Sequence, residues 1–237
     1  MQTTSALYKS IVSSGNHWFE TRISINGNIM SETQIMSVTR TVPGMNSEKP
    51  SVGGALSAQL SVKILEPSFS IPRMAAINVF VRACDATRQS EWIPNGQYFI
   101  DTRAHNETVG SLGTMQITAY DAMMKFEQDY PDTAHDWPYK DTLVIAEMAS
   151  AVGISVDARV NQLLTSGYML GLPVGYTMRE TLEHISAAYG GNFIISNEGK
   201  LLFVPLYGFD PEINGNYLAD ESGNALVFGN EGWCILV

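Results

Sequence analysis

Apolar and polar positions alternate along most of the first half of the chain, and the period lengthens in the second half. Between Leu56 and Ile64 every second residue is apolar (Leu56, Ala58, Leu60, Val62, Ile64), with Ser57, Gln59, Ser61 and Lys63 between them. Side chains of a strand point alternately to its two faces, so this stretch predicts one strand with one face in a core and the other in water. Ile77, Val79, Val81 and Ala83 repeat the pattern, as do Met115, Ile117 and Ala119. His17 to Ile25 alternates into Asn26-Gly27, a strong hairpin signal, and Gln34 to Val42 supplies the expected returning strand. Trp92 to Thr102 adds another strand, interrupted by a turn at Pro94-Asn95-Gly96. Five or six antiparallel strands predict a barrel or sandwich over about residues 15 to 120, preceded by a short helix around Leu7, Tyr8 and Ile11.

The period changes at Tyr120-Asp121. Asp121 is placed to cap a short helix through Ala122, Met123, Met124 and Phe126, and an acidic loop runs from Asp129 to Trp137. Asp141 is placed to cap a second helix whose Val144, Ile145, Met148, Ala149 and Val152 face inward, with Gly153 ending it. Ile154 to Val156 reads as a short strand, followed by a glycine-rich loop. Thr177 and Glu180 then have the spacing of a capping box, and Met178, Leu182, Ile185 and Tyr189 form a helical stripe. Gly190 and Gly191 are read as the helix exit. Asn192 to Ser196 and Lys200 to Pro205 form a hairpin through Asn197, Glu198 and Gly199. The expected fold class is α+β: an antiparallel β-barrel over residues 1–120, a small α/β unit over 121–205 that follows or interrupts it, and a β segment over 206–237 that rejoins the barrel.

Composition narrows the chemistry. With 237 residues and 45% apolar content the chain can bury a sizeable core. A net charge of −10 argues against a duplex-binding surface, which needs clustered Lys and Arg. It suits a channel wall past which a polyanion slides, or equally a solvated outer face. No run approaches the roughly 20 apolar residues of a membrane span. The opening MQTTSALYKSIVSSGN has neither the basic start nor the apolar stretch of a secretory signal. Cys84 and Cys234 are too few for a disulfide framework and read as buried, unpaired thiols.

No catalytic, cofactor-binding or metal constellation stands out. His17, His105, His135 and His184 are scattered, and no pair has the spacing of a helical metal site. His184 lies off its helix's apolar stripe and reads as solvent-facing. His135 sits near Asp132, Asp136 and Asp141 in a stretch better read as a solvated loop than as a carboxylate–histidine cluster. There is no nucleophile elbow and no glycine-rich phosphate loop. Asp210, Glu212, Asn214, Gly215 and Glu221 fall at positions one, three, five, six and twelve of a calcium loop of the EF-hand type. Glu212 at the third position, Leu218 at the ninth and the strand-like flank Leu201 to Leu206 favour a simple turn there. Trp18, Trp92, Trp137 and Trp233, on separate elements, read as core anchors and subunit contacts more than as a sugar-binding surface.

The succession SEWIPNGQYFIDTR, MQITAYDAMMKFEQDYP, TLVIAEMASAVGISVDAR and TMRETLEHISAAYGGNFIISNEGKLLFVPL resembles the tail hub proteins of phages and prophages of Gram-positive bacteria and of related phage-tail-like particles. Those proteins are similar to the central hub of contractile baseplates, and the resemblance extends over roughly residues 15 to 237. It implies a homotrimeric ring at the tail tip whose β-barrel domains imitate the tube subunit, with the α/β unit packed outside. The implied partners are further copies of the chain, the tail tube, distal tail or baseplate proteins, a tip or spike protein and the tape-measure protein. No enzymatic activity and no cofactor are implied. The alternatives are a receptor- or glycan-binding module of the tail tip, or the non-catalytic N-terminal part of a tail-associated wall hydrolase. One departure is that hub proteins usually continue into a second tube domain, whereas this sequence stops at the apolar run Gly232 to Val237.

Overall fold

Seven strands of the alternating half form one curled antiparallel sheet, a half-barrel and not a closed barrel. The computed structural model describes residues 4–42, 51–106, 113–131 and 136–206, together with the backbone of two short strands at 226–228 and 234–236. After helix α1 (Ala6–Val12), capped by the Ser5 hydroxyl, come β1 (Trp18–Ile25), β2 (Asn28–Ile29), β3 (Ile35–Thr41), β4 (Gly54–Leu56), β5 (Gln59–Leu65), β6 (Ala76–Cys84), β7 (Ile93–Asn106) and β8 (Thr114–Tyr120). The order across the sheet is β2-β1-β6-β7-β8-β5-β3. Its concave face buries Ile23, Leu60, Val62, Ile64, Ile77, Ile100 and Ile117, the inward set of the alternation. Each such side chain contributes about 2 kcal/mol of transfer free energy.

Three strand expectations are corrected. Asn26 and Gly27 do turn the chain with positive φ, but the returning strand is the two-residue β2. A turn at Glu32–Gln34 then redirects the chain, and β3 lies at the opposite edge against β5. The run from Leu56 to Ile64 is two strands in two sheets, because the chain crosses between cores at Ser57-Ala58. Pro94-Asn95-Gly96 is a bulge inside the continuous β7. Pro94 lies opposite Phe80 and Gln97 opposite Asn78, so Asn95 and Gly96 share the space of Val79 alone. Gly96 has φ 119°, and a Cβ there would come within 2.6 Å of the Tyr98 hydroxyl.

The second core belongs to the helical half. Asp121 caps a 3₁₀ turn (Ala122–Phe126) as expected. The strand pair β9 (Tyr139–Lys140) and β10 (Met169–Leu170) brackets helices α2 (Asp141–Ala151) and α3 (Ala158–Leu163). Helix α3 was not foreseen, whereas the predicted strand at Ile154 to Val156 amounts to one bridge between Val156 and Leu201. Helix α4 (Met178–Ala188) carries the full Thr177–Glu180 capping box and buries Met178, Leu182 and Ile185. It packs on β4 and β11 (Gly191–Ile195), the latter paired with β12 (Leu201–Pro205). Gly190, with φ 68°, ends α4, while Gly191 already belongs to β11. The hairpin is therefore part of a three-stranded sheet, with β4 parallel to β11. Buried Asn192 holds that junction: its Oδ1 accepts from Gly54 N (2.8 Å) and its Nδ2 donates to the Ser51 carbonyl (3.0 Å). The backbone at 226–228 (β13) and 234–236 (β14) forms a separate antiparallel pair.

Between β6 and β7, Asp85 shapes a tight turn. It accepts from the Thr87 and Arg88 amides (2.9 and 2.7 Å) and from the Arg88 guanidinium (2.8 and 2.6 Å). The Arg88 side chain first, then the Thr87 amide, lowers the Asp85 carboxyl from 3.8 to about 2. A depressed carboxyl stabilises the fold above its unfolded value and loses that contribution as pH falls through the folded one. An NMR titration is therefore expected to find the Asp85 midpoint near 2, with the turn amides losing exchange protection between about pH 4 and 2.

Candidate interaction surface

The structure disperses the residues that could have carried chemistry. His17 Nδ1 lies 2.8 Å from the Ser14 carbonyl, with its ring edge-on to Phe19. His105 pairs with Glu66 at 3.2 Å on the surface. His184 is exposed on α4, as expected, and its ring stands against Tyr176 at 4.9 Å. His135 and Asp132 lie outside the described residues, as does the calcium-like loop from Asp210 to Glu221. Asp136 is exposed. Cys84 is a buried free thiol, pushed up by burial and by neighbouring Glu20; the side chain of Cys234 is outside the described residues. Among the described residues, no group of three His, Cys, Asp or Glu side chains could hold a metal ion, and no helix is long and apolar enough to cross a membrane.

Asp141 is corrected from helix cap to anchor. It is the first residue inside α2, after Lys140, and is fully buried. Its carboxylate accepts from the Thr142 amide (2.6 Å), the Tyr168 amide (3.0 Å) and the Tyr189 hydroxyl. Burial first, then this hydrogen bond, raises the Tyr189 phenol. The Tyr189 hydroxyl also accepts from Gly167 N at 3.0 Å, and the Tyr168 and Tyr189 rings meet edge-on at 4.9 Å. At the far end of the same stretch, the Tyr176 carbonyl accepts from Tyr130 N, and Thr177 caps α4.

The stretch from Tyr168 to Tyr176, made of β10 and the loop that follows it, is thus fixed at both ends, yet it exposes Met169 (59%), Leu172 and Val174 (74%). Beside it lies a largely apolar cleft of about 200 Å³ lined by Leu170, Leu172, Pro173, Tyr176, His184 and Ile185. Isolated exposed apolar residues are ordinary, but a contiguous patch held in place marks a contact surface. Sequence reading missed it because YMLGLPVGY has no strand or helix period; its signal was the density of large apolar residues in a loop.

Two further exposed aromatic residues lie on the half-barrel, on opposite faces of one strand. Trp18 and Phe19 open β1 and are about half exposed (49% and 50%), so Trp18 is no core anchor. On the same face as Trp18, Glu20 holds Arg82 at 2.5 Å, and the guanidinium groups of Arg22 and Arg82 both stack 4.5 Å from the Trp92 ring centre. Trp137 is partly buried between Tyr130 and Tyr139, as an anchor should be, and Trp233 lies outside the described residues. Charge is unevenly divided. Residues 1–120 carry nine Lys or Arg against eight Asp or Glu, whereas 121–206 carry five against eleven.

The chain is similar to the 43 kDa tail protein of prophage MuSo2 from Shewanella oneidensis, with a TM-score of 0.52 and 13% identity over 81% of this chain and 57% of that one. The tail protein of Neisseria meningitidis MC58 gives a TM-score of 0.49 and 12% identity over 78% of this chain and 50% of that one. The chain therefore spans about half the length of these proteins. No protein-family model matches the sequence, and no curated protein is similar to it.

Proposed function

We propose that the protein is a structural subunit of a phage tail or phage-tail-like particle, and that it acts as the hub at the tail tip. Three copies form a ring that joins the tail tube to the tip or spike, with distal tail or baseplate proteins and the tape-measure protein as further partners. The observation that carries this reading is the shared architecture with the MuSo2 tail protein over 81% of the chain. The surface supports it too. Among the described residues both edges of the half-barrel are open, since β2 pairs only with Ser24 and Ile25 of β1 and no strand pairs with the outer side of β3. Open edges endanger a monomer and serve a subunit that is covered on assembly. In this reading residues 1–120, β4 apart, form the tube-like part and 121–205 the outer α/β unit, while most of 206–237 lies outside the described residues.

Native mass spectrometry of the purified protein is expected to give three copies, and images of assembled particles to locate them at the tail tip. Monomer alone and after mixing with tube and tip proteins would overturn the ring. Release of peptidoglycan by the purified chain would instead favour the wall-hydrolase reading.

A further inference from the structure

We propose that Arg22, on the convex face of the half-barrel, is the anchor for a carboxylate on an acidic segment of a different protein. The site lies within one copy of the chain and stands whether or not the ring forms.

Strand pairing builds it. Glu20 and Arg22 share the outer face of β1, since Ile23 and Ile25 turn inward, and they lie opposite Arg82 and Phe80 of β6. Trp92 leads into β7 beside Arg82. Two guanidinium groups and one carboxylate thus meet around one indole. Arg82 lies 4.5 Å from the Trp92 ring centre and gives its Nε (2.8 Å) and Nη2 (2.5 Å) to Glu20 Oε2. Arg22 also lies 4.5 Å from the Trp92 ring centre, and 5.0 Å from that of Phe80. Yet among the described residues no carboxylate pairs with Arg22 and no acceptor takes its N–H groups.

A guanidinium stacks through its faces and hydrogen-bonds from its edge, so ring contacts leave its donors free. Arg22 is stacked and one carboxylate short, and the neighbouring Arg82–Glu20 pair shows what completes such a group on this surface. A side chain already held over two rings loses little freedom when it binds, and charge-assisted pairs with carboxylates are the strong ones. Arg and Trp are also the residues that dominate interface energies.

The charges available favour a different protein over a second copy. In the acidic half of this chain Asp121 and Asp141 are buried, while Glu127, Asp157, Glu180 and Glu198 already hold Arg179, Arg159, Thr177 and Lys200. A second copy therefore has few free carboxylates to offer, and two chains of net charge −10 repel each other.

The test titrates a short polyglutamate peptide into the whole chain at low salt and follows the arginine Nε–H signals by NMR. The Arg22 signal is expected to move while that of Arg82, already held by Glu20, stays; a polylysine peptide should leave Arg22 in place. Arg22→Gln is expected to weaken peptide binding at least ~10-fold. Arg22→Lys keeps the charge but loses the planar fork, and is expected to fall well short of wild type. Arg22 is partly exposed, so thermal melts of both variants should match wild type. No binding by wild type, undiminished binding by Arg22→Gln or full rescue by lysine would overturn the anchor. Self-association that sedimentation shows to be lost in Arg22→Gln would place the carboxylate on a second copy and overturn the choice of a different protein. A monomeric wild type that binds the peptide through Arg22 would support this site while counting against the ring.

Discussion

Gly191→Ala is expected to destabilise the protein by about 3 kcal/mol, more than Gly190→Ala beside it. Backbone conformation alone predicts the reverse. Gly190 has φ 68°, where an L side chain is strained, while a Cβ on it meets nothing within 4 Å; that costs about 1 kcal/mol. Gly191 has an ordinary strand conformation but no room. A Cβ there would lie 2.4 Å from the Phe203 ring tip and 2.5 Å from the Val204 carbonyl oxygen. Phe203 cannot swing aside, because it is buried against Phe193 (5.2 Å) and near Tyr189 (6.2 Å). The Val204 oxygen belongs to the paired strand, so relief requires β11 and β12 to separate. Urea unfolding of both variants measures the difference, and a smaller loss for Gly191→Ala than for Gly190→Ala would show that this packing is looser than described.

That comparison also shows what the sequence could and could not reveal. A pair of glycines after a helical stripe signals an exit, which Gly190 makes; nothing local says that the second glycine is needed for an aromatic ring twelve residues on. The period-two runs of β5, β6 and β8 were legible because each buries one face of one sheet. The strand from Leu56 to Ile64 was misread for the same reason. Its alternation continues unbroken although Leu56 pairs in one sheet and Leu60 in another, since β4 is buried on both faces: Ala55 packs in the second core and Leu56, on the other face, is buried and apolar as well. Pairing partners carry no local mark, so β3 at the far edge and β4 beside β11 were out of reach. Asp141 had the sequence position of a cap, but its carboxylate is taken by the Tyr168 amide and the Tyr189 hydroxyl, 27 and 48 residues away. As for the surface, Trp18 was expected in the core or at a contact and stands half exposed, while the Tyr168–Tyr176 loop passed as a glycine-rich connection. The charge division between the two halves needed no structure to count.

Asp121→Ala is expected to cost about 3 kcal/mol, because one carboxylate ties both described crossings between the two cores. The chain passes from β4 to β5 at Ser57-Ala58 and from β8 into the 3₁₀ turn at Asp121 itself. Asp121 accepts from the Ser57 hydroxyl (2.9 Å), Ala58 N (2.7 Å) and Met123 N (3.0 Å), and its own amide donates to the Ala58 carbonyl (3.0 Å). Alanine strands two buried amide donors, each worth about 1–3 kcal/mol, partly offset by removing a buried charge. Asn keeps one acceptor oxygen but turns an NH₂ toward one of the donors, so about half the loss is expected. Proton linkage separates this carboxylate from the surface ones. Burial raises its pKa above 3.8 against the opposing pull of the Ala58 and Met123 amides. A raised group adds stability that is full below the unfolded value and disappears as pH rises through the folded value, the opposite sign to Asp85. The advantage of wild type over Asp121→Asn should therefore widen between neutral pH and about pH 4, while the surface carboxylates cancel in the comparison. Urea unfolding of the three proteins at both pH values decides it: an alanine variant within about 1 kcal/mol of wild type would mean that the crossings are held by something other than Asp121.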